Sequence, residues 1–370
     1  MNDELSSTTK SALSNHFSDS TLVSNDTIAI ATWLNSYRNR SKETIRSFSK
    51  EAIRFLMWVE LRKGQGDSLL RAVTAEDANE YLDFLIAPQI FPAWILQKYG
   101  YSRQPFHGKG LCRESIRQAV IILNRMFSVL QNIQIGQHIP YVQLNPFVLV
   151  KAMPISQDFD TKKALTKEEW SMVQDTIELL PRHTKREQFH YYRTRWIFQL
   201  LYRLWVRRAT LNSLKMGDFF PSSDGWMIQV TSKGNKTASL IASTKLMNAL
   251  MEYRFALELP ELPTPNDSRP LVSTLYNPYM PLSPESLYAV CRVIYRTTAE
   301  RVAETHPYSA EKLRKAGPHT MRHTGISHAI YSGVSLTHVN KQAMHANIQT
   351  TVRYVQAQKD IMMDEFEKCD

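Results

Sequence analysis

A polar segment near the middle of the chain most constrains how this sequence can fold. The run SQDFDTKK at 156–163 follows a Met153-Pro154 break and separates two long stretches whose apolar residues recur at helical spacing. A chain of 370 residues holds about two domains of ordinary size, so we expect two unlike domains joined by a linker. The predicted segments are a flexible N-terminal arm at 1–25, a first domain at 26–155, the linker at 156–165, a second domain at 166–356 and a C-terminal tail at 357–370.

The balance of charge restricts the partners of the protein. The formal net charge is +10 and the sequence pI is about 9.4, which indicates a polyanionic partner, either nucleic acid or a membrane surface. We expect no membrane insertion, because the sequence has no apolar run of spanning length and its N-terminus lacks the apolar core of a signal peptide. The three cysteines, Cys112, Cys291 and Cys369, lie far apart without metal-ligand spacing, so we predict neither a disulfide framework nor a zinc site. A reducing, cytoplasmic location is expected.

Two helices of the first domain are predicted to carry a basic face. Ser41 can cap a helix whose apolar side chains lie on one side, and a second helix at 113–131 repeats this design. The segment 87–111 between them is too rich in proline and aromatic residues for one regular element, and we interpret it as an insertion. Basic faces suit a phosphate backbone, although each could equally be an ordinary solvated face. The candidate DNA-binding residues on these faces are Lys42, Arg46, Lys50, Arg54, Arg113 and Arg117.

The second domain is predicted to be mostly helical with one exception. It begins with a helix, since Thr166 and Glu169 form a capping-box pattern. At 226–243, two β-prone runs flank the sequence KGNK, which predicts a hairpin with a basic tip. The predicted fold class is therefore mainly α with a small β-hairpin or sheet, in which a helical domain precedes a mixed α+β domain.

Four residues near the C-terminus form the most specific motif. His319 and Arg322 make an HxxR pair, His345 follows, and Tyr354 comes nine residues after His345. This ordered set resembles the C-terminal motif of the tyrosine recombinase (phage integrase) family, in which the tyrosine is the nucleophile and the second histidine donates a hydrogen bond to the scissile phosphate. The resemblance implies a helical core-binding domain and a catalytic domain that together form a clamp on DNA.

The family motif also includes an earlier arginine and a lysine in a β-hairpin. In the family, this arginine stands eleven residues before an aspartate that precedes the hairpin. Asp218 fits that aspartate, and counting back from it selects Arg207, with Arg208 as the reserve choice. The resemblance then implies that Lys233 is the hairpin lysine, with Lys236 as the second candidate. We also expect Lys236 to bind DNA.

These residue types suit cleavage of a phosphodiester bond without a metal ion. Arg207 and Arg322 can grip the nonbridging oxygens and stabilise the charge of the transition state. A phenol, whose ordinary pKa is about 10, is protonated at neutral pH, so Tyr354 needs a base, for which His319 is the candidate. Lys233 can protonate the leaving 5′-oxygen. We expect no cofactor, since a 3′-phosphotyrosine keeps the energy of the broken bond.

The sequence departs from the family pattern beside these residues. Trp205 stands where the family has a glycine before the first arginine, Met344 replaces the glycine usual before the second histidine, and Thr210 replaces an acidic residue. None of these changes removes a group that binds phosphate or transfers a proton, so we expect an active enzyme. A catalytically silent DNA-binding protein on the same fold remains the alternative from another class.

The resemblance also implies the partners of the protein. Site-specific recombination of double-stranded DNA through a Holliday junction needs four active sites, so we expect a homotetramer on DNA and a monomer in isolation. An accessory DNA-bending protein is a further candidate partner, and association with the nucleoid is expected. The same chemistry could instead serve relaxation or end resolution, as in type IB topoisomerases. The tail at 357–370 could pack in cis or on a neighbouring protomer.

Overall fold

The computed structural model describes residues 25–106, 108–135, 139–150, 164–232 and 236–356. The predicted arm up to residue 24, the predicted linker up to residue 163, Lys233 and the tail from residue 357 lie outside these ranges. The chain divides into two compact units, residues 1–156 and 157–370. Each unit buries an apolar core of its own.

Capped helices form the first unit. The side chains of Asn25, Ser41 and Thr74 each accept a backbone N–H at the start of a helix. At the centre, the rings of Phe55 and Phe127 pack edge to face. The elements are α1 (Asp26–Asn35), α2 (Lys42–Lys63), α3 (Ala75–Ile86), α4 (Ala93–Lys98), α5 (Arg113–Leu130) and an antiparallel hairpin of β1 (Gln134–Ile135) and β2 (Ile139–Pro140).

The first unit exposes most of its predicted basic residues. Lys42, Arg46 and Lys50 of α2 face solvent, and so do Arg113 and Arg117 of α5. Within the described ranges, no helix of the protein combines the length and the apolar character needed to cross a membrane.

The prediction that Arg54 joins the exposed face of α2 is wrong. Arg54 is 6% exposed, forms an ion pair with Glu51 and donates from Nε to the Tyr81 hydroxyl at 3.2 Å. That hydroxyl donates in turn to Oε1 of Glu51 at 3.0 Å, which closes a buried polar cluster. The physical reason is helical geometry: a four-residue spacing drifts by about 40° per step. Three such steps from Lys42 rotate Arg54 from the solvent face into the core.

The second unit is mostly helical and contains an antiparallel sheet of strand order β3-β4-β5. Its elements are α6 (Lys167–Glu178), α7 (Lys185–Leu204), α8 (Arg208–Leu211), β3 (Phe219–Ser222), β4 (Gly225–Ser232), β5 (Lys236–Ile241), α9 (Thr244–Ala256), α10 (Pro284–Val302), α11 (Pro307–Lys315), α12 (Pro318–Tyr331), α13 (Leu336–Gln342) and α14 (Gln349–Gln356). The predicted hairpin is confirmed as β4 and β5. Strand β3, which pairs with β4, was outside the prediction, because four residues that include a proline give little alternation of polarity.

Close contacts with α7 hold α12 in place. A Cβ atom on Gly325 of α12 would lie 2.0 Å from the carbonyl oxygen of Tyr202 in α7, so this approach requires glycine. His328 of α12 bridges two partners, with Nδ1 2.9 Å from the Tyr202 hydroxyl and Nε2 3.0 Å from the carbonyl oxygen of Leu165. Thr324 Oγ1 accepts the Leu165 N–H at 2.9 Å. These contacts fix the helix that carries the HxxR pair.

Replacing Arg54 by alanine should destabilise the first unit by about 3 kcal/mol, because the variant leaves the Glu51 carboxylate buried without its partner. Arg46→Ala, on the exposed face of the same helix, is the matched control and should change the stability by less than about 0.5 kcal/mol. Urea unfolding followed by tryptophan fluorescence measures both effects. Equal unfolding midpoints for the two variants would contradict the buried ion pair.

Candidate active site

Helix α12 places a buried arginine at the centre of the site. Arg322 is 6% exposed and donates from Nη2 to the carbonyl oxygen of Ala343 at 2.8 Å. Burial, followed by repulsion from Arg207, lowers the pKa of Arg322 to about 10. Because this hydrogen bond goes to a neutral carbonyl, it leaves the positive charge of Arg322 uncompensated and suited to an anionic ligand.

Arg207 brings a second positive charge to the same site. Arg207 lies in extended backbone immediately before α8, and its side chain is exposed. Its charge contributes to the lowered pKa values of Arg322, His319 and His345, although burial is the larger cause at each. Arg208 adds to the positive field at His319. An anion bound between Arg207 and Arg322 would relieve the repulsion between them.

Tyr354 lies on α14 with its side chain turned into this positive site. The side chain is 4% exposed, and its hydroxyl is 2.7 Å from Nδ1 of His323. The ring stacks with that of His345 at a centroid distance of 6.2 Å. Burial raises the pKa of the Tyr354 phenol, while the charges of Arg322 and Arg207 oppose this effect. The phenol is therefore protonated at neutral pH, and the field around it favours the phenolate once the proton leaves.

A chain of hydrogen bonds orients His345. Its Nδ1 is 2.9 Å from Oγ1 of Thr351, and this hydroxyl donates to Oδ1 of Asn340 at 3.0 Å. Because a hydroxyl has one proton, Thr351 accepts from His345, so Nδ1 carries the proton of the neutral imidazole and Nε2 carries a lone pair. Burial, followed by the charges of Arg322 and Arg207, lowers the pKa of His345 to about 4.

Two departures from the family pattern lie in left-handed backbone. Trp205 has φ 54° and Met344 has φ 50°, a conformation that glycine adopts without strain. Trp205 offsets part of this strain, because its Nε1 donates to the carbonyl oxygen of Tyr202 at 2.7 Å. Its ring also joins an apolar cluster that includes Tyr354. The turns before Arg207 and His345 thus have the backbone conformation that glycine favours, although their residues carry larger side chains.

The structure brings together five of the predicted catalytic residues. These are Arg207, His319, Arg322, His345 and Tyr354. Lys233 lies outside the described residues, and Lys236 begins β5 with its side chain outside the description. In the parts of the chain that the structure describes, no three His, Cys, Asp or Glu side chains form a metal-binding group.

Three residues of the site lie outside the catalytic set predicted from the sequence. The Tyr354 hydroxyl is hydrogen-bonded to His323, which lies one helical turn after the predicted base His319 and was expected only to support the catalytic residues. Thr351 and Asn340, which hold His345, were also missed. A spacing of four residues between His319 and His323, and of three between Thr351 and Tyr354, was the available signal, since such residues share a helix face.

Comparison with known proteins identifies the family. The model of the phage integrase family matches residues 171–360, which is just over half of the chain and includes the arginine, histidine and tyrosine positions of the site. The chain belongs to the phage integrase family. This confirms the predicted family and the class of enzyme that it implies.

Relatives of this family member cover most of its length. The tyrosine recombinase XerC of Thermodesulfovibrio yellowstonii is 24% identical over 317 residues, which cover 85% of this chain and 94% of that protein. The XerH site-specific recombinase bound to a palindromic difH substrate is similar in structure, with a TM-score of 0.62, 17% identity and coverage of 96% of this chain and 92% of that chain. The Tn1549 transposon integrase in complex with transposon right end DNA gives a TM-score of 0.57, 16% identity and coverage of 92% and 99%. These likenesses confirm the predicted fold class.

Acidic pH should destabilise this phage integrase family member through His345. The pKa of His345 is about 4 in the folded protein, below the value of about 6.5 in an unfolded chain. The unfolded state therefore binds the extra proton first, and this contribution to the free energy of unfolding falls as the pH drops below about 6.5. The thermal midpoint of His345→Gln should consequently fall less between neutral pH and about pH 5 than that of the wild type.

His338→Gln, at an exposed position of α13, is the control for this measurement and should follow the wild type. A His345→Gln variant with the same pH dependence as the wild type would show that His345 is not the group held neutral by the site.

Proposed function

We propose that this protein is a site-specific DNA recombinase that cleaves and rejoins duplex DNA through a covalent 3′-phosphotyrosyl intermediate. The observation that carries the proposal is the Tyr354 hydroxyl, buried within the electrostatic field of Arg322 and Arg207. A phosphodiester between these arginines would meet two planar, bidentate donors and a nucleophile. Similarity to XerC, XerH and the Tn1549 integrase supports the same reading.

The reaction begins at the phenol. The O–H bond of Tyr354 breaks as its proton moves to a histidine of α12, and the oxygen forms a bond to phosphorus. The bond between phosphorus and the 5′-oxygen breaks, and its electron pair stays on that oxygen, which takes a proton from Lys233, with Lys236 as the second candidate donor. Arg207 and Arg322 stabilise the negative charge on the nonbridging oxygens.

His345 changes its protonation when the phosphate arrives. In the free protein its pKa of about 4 leaves Nε2 without a proton, so that atom can only accept. The negative charge of a phosphate favours the imidazolium, which can donate from Nε2 while Nδ1 remains bonded to Thr351. The 5′-hydroxyl can then reverse the reaction, because the phosphotyrosine keeps the bond energy and neither metal nor ATP is needed.

The first unit supplies contacts to the DNA backbone in this proposal. The exposed side chains Lys42, Arg46 and Lys50 of α2, together with Arg113 and Arg117 of α5, form phosphate contacts that release counterions. Arg54 has no such role, because its guanidinium is used within the core.

Exchange of two duplexes cuts four strands, and each cut uses one tyrosine. We therefore propose that four copies of the chain act on two DNA sites through a Holliday junction, and that the free protein is a monomer. Sedimentation before and after addition of a site-bearing duplex reports this assembly.

Covalent capture tests the proposed chemistry. Wild type and Tyr354→Phe are expressed in the host, the cells are lysed in strong detergent, and DNA that stays on the purified protein is sequenced. Detergent removes noncovalent DNA, so we expect attached DNA from one recurrent sequence in the wild type and none in the variant. Tyr308→Phe is the matched control, because this tyrosine of the same unit is 91% exposed and lies outside the proposed chemistry, and it should retain the adduct.

Each other outcome contradicts part of the proposal. Equal adducts in wild type and Tyr354→Phe would exclude Tyr354 as the nucleophile. Adducts spread over unrelated sequences would point to relaxation of DNA rather than recombination. Strong noncovalent binding without any adduct would indicate a silent DNA-binding protein.

A further inference from the structure

The hydroxyl of the proposed nucleophile contacts a histidine outside the predicted catalytic set. Nδ1 of His323 lies 2.7 Å from the Tyr354 hydroxyl oxygen, and the two rings are 5.6 Å apart between centroids. His323 follows Arg322 directly on α12, so one short stretch of helix contacts both the reacting oxygen and the site for the phosphate.

The relative acidity of the two groups sets the direction of this hydrogen bond. A phenol loses its proton at a pKa of about 10, whereas the N–H of a neutral imidazole is a much weaker acid. This difference favours donation from the Tyr354 hydroxyl to the lone pair on Nδ1 of a neutral His323. This arrangement leaves the imidazole proton of His323 on Nε2.

We propose that His323 is a catalytic residue that accepts the proton of Tyr354 as the phenol attacks the phosphate. The inference rests on the proposed recombinase function and adds a residue to it. In the forward step the O–H bond of Tyr354 breaks, an N–H bond forms at Nδ1 of His323, and the phenolate oxygen bonds to phosphorus. In the reverse step the 5′-hydroxyl displaces the phenolate, which recovers its proton from Nδ1.

The surroundings of His319 support the choice of His323 over His319 as the proton acceptor. His319 lies one turn before His323, and its pKa is lowered by burial and then by the charges of Arg322, Arg208 and Arg207. These arginines are the groups from which we expect the phosphate to accept hydrogen bonds, so His319 lies in the field of the phosphate-binding charges. The hydrogen bond to the reacting oxygen is instead made by His323.

The competing explanation is that His323 only holds α14 in place. Tyr354 also packs in the apolar cluster with Trp205, Ile326 and Val339, so a clamping role would be useful for stability. Three measurements separate a proton acceptor from a clamp.

The first measurement needs no DNA. The full chain is labelled with ¹⁵N-histidine, and the signal of His323 is assigned with His323→Asn. At neutral pH we expect Nδ1 without a proton and Nε2 with one, and a change at Nδ1 in Tyr354→Phe. A protonated Nδ1 would overturn the proposal, because His323 would then donate to the phenol oxygen.

The second measurement is single-turnover cleavage of a nicked duplex that carries the sequence recovered by covalent capture. His323→Asn places an amide oxygen near the Nδ1 position, so it can accept the hydrogen bond but cannot take the proton. We expect its cleavage rate to fall by about 100-fold or more with unchanged affinity for the duplex. His338→Gln is the control and should cleave like the wild type.

A more acidic nucleophile gives the decisive comparison. Difluorotyrosine at position 354 loses its proton more readily than tyrosine, so it should restore part of the rate in the His323→Asn background. A clamp would show no such rescue, which would overturn the proposal, as would a His323→Asn rate equal to that of the wild type. If the wild type itself forms no adduct, the proposed function fails; if the wild type cleaves and His323→Asn cleaves equally, only this inference fails.

Discussion

Two guanidinium groups directed at one site are the constraint on which the rest of this structure depends. Burial and the charge of Arg207 together lower the pKa of Arg322 to about 10, so the free protein holds a buried positive charge within the field of an exposed one. Such an arrangement is unfavourable unless an anion binds between the charges. The same field lies around Tyr354. The positive charges of such a site favour a bound phosphate, which gains negative charge during the attack, over the empty site.

The backbone around these charges is held by unusual local geometry. Trp205 and Met344 adopt left-handed backbone, at a cost of about 1 kcal/mol each, and each stands just before a residue of the site. Gly325 allows α12 to approach α7 so closely that a Cβ atom would clash with Tyr202. Packing of the second unit therefore fixes Arg322 and His323 relative to Tyr354 before any ligand binds, which is the preorganisation that catalysis by hydrogen bonds and charge requires.

The sequence allowed the helical class, the hairpin and the residues of the motif to be predicted, because each of these leaves a local or ordered signal. Arg54 was misplaced, since a four-residue spacing was treated as one face although it drifts around the helix. Strand β3 gave too short a pattern to detect. His323 was passed over as a base because the choice between two histidines one turn apart depends on where α14 packs. That packing is a tertiary property, which no spacing within α12 contains.

The central claim is that Arg207 and Arg322 share the phosphate that Tyr354 attacks. The most direct measurement is a structure of the Tyr354→Phe variant bound to the duplex recovered by covalent capture. The account predicts that one phosphate accepts hydrogen bonds from both guanidinium groups, with the ring of residue 354 in line with the bond to the 5′-oxygen. Two results would contradict the account. In one, the phosphate at the cleavage site contacts Arg208 in place of Arg207; in the other, that phosphate lies away from the ring of residue 354.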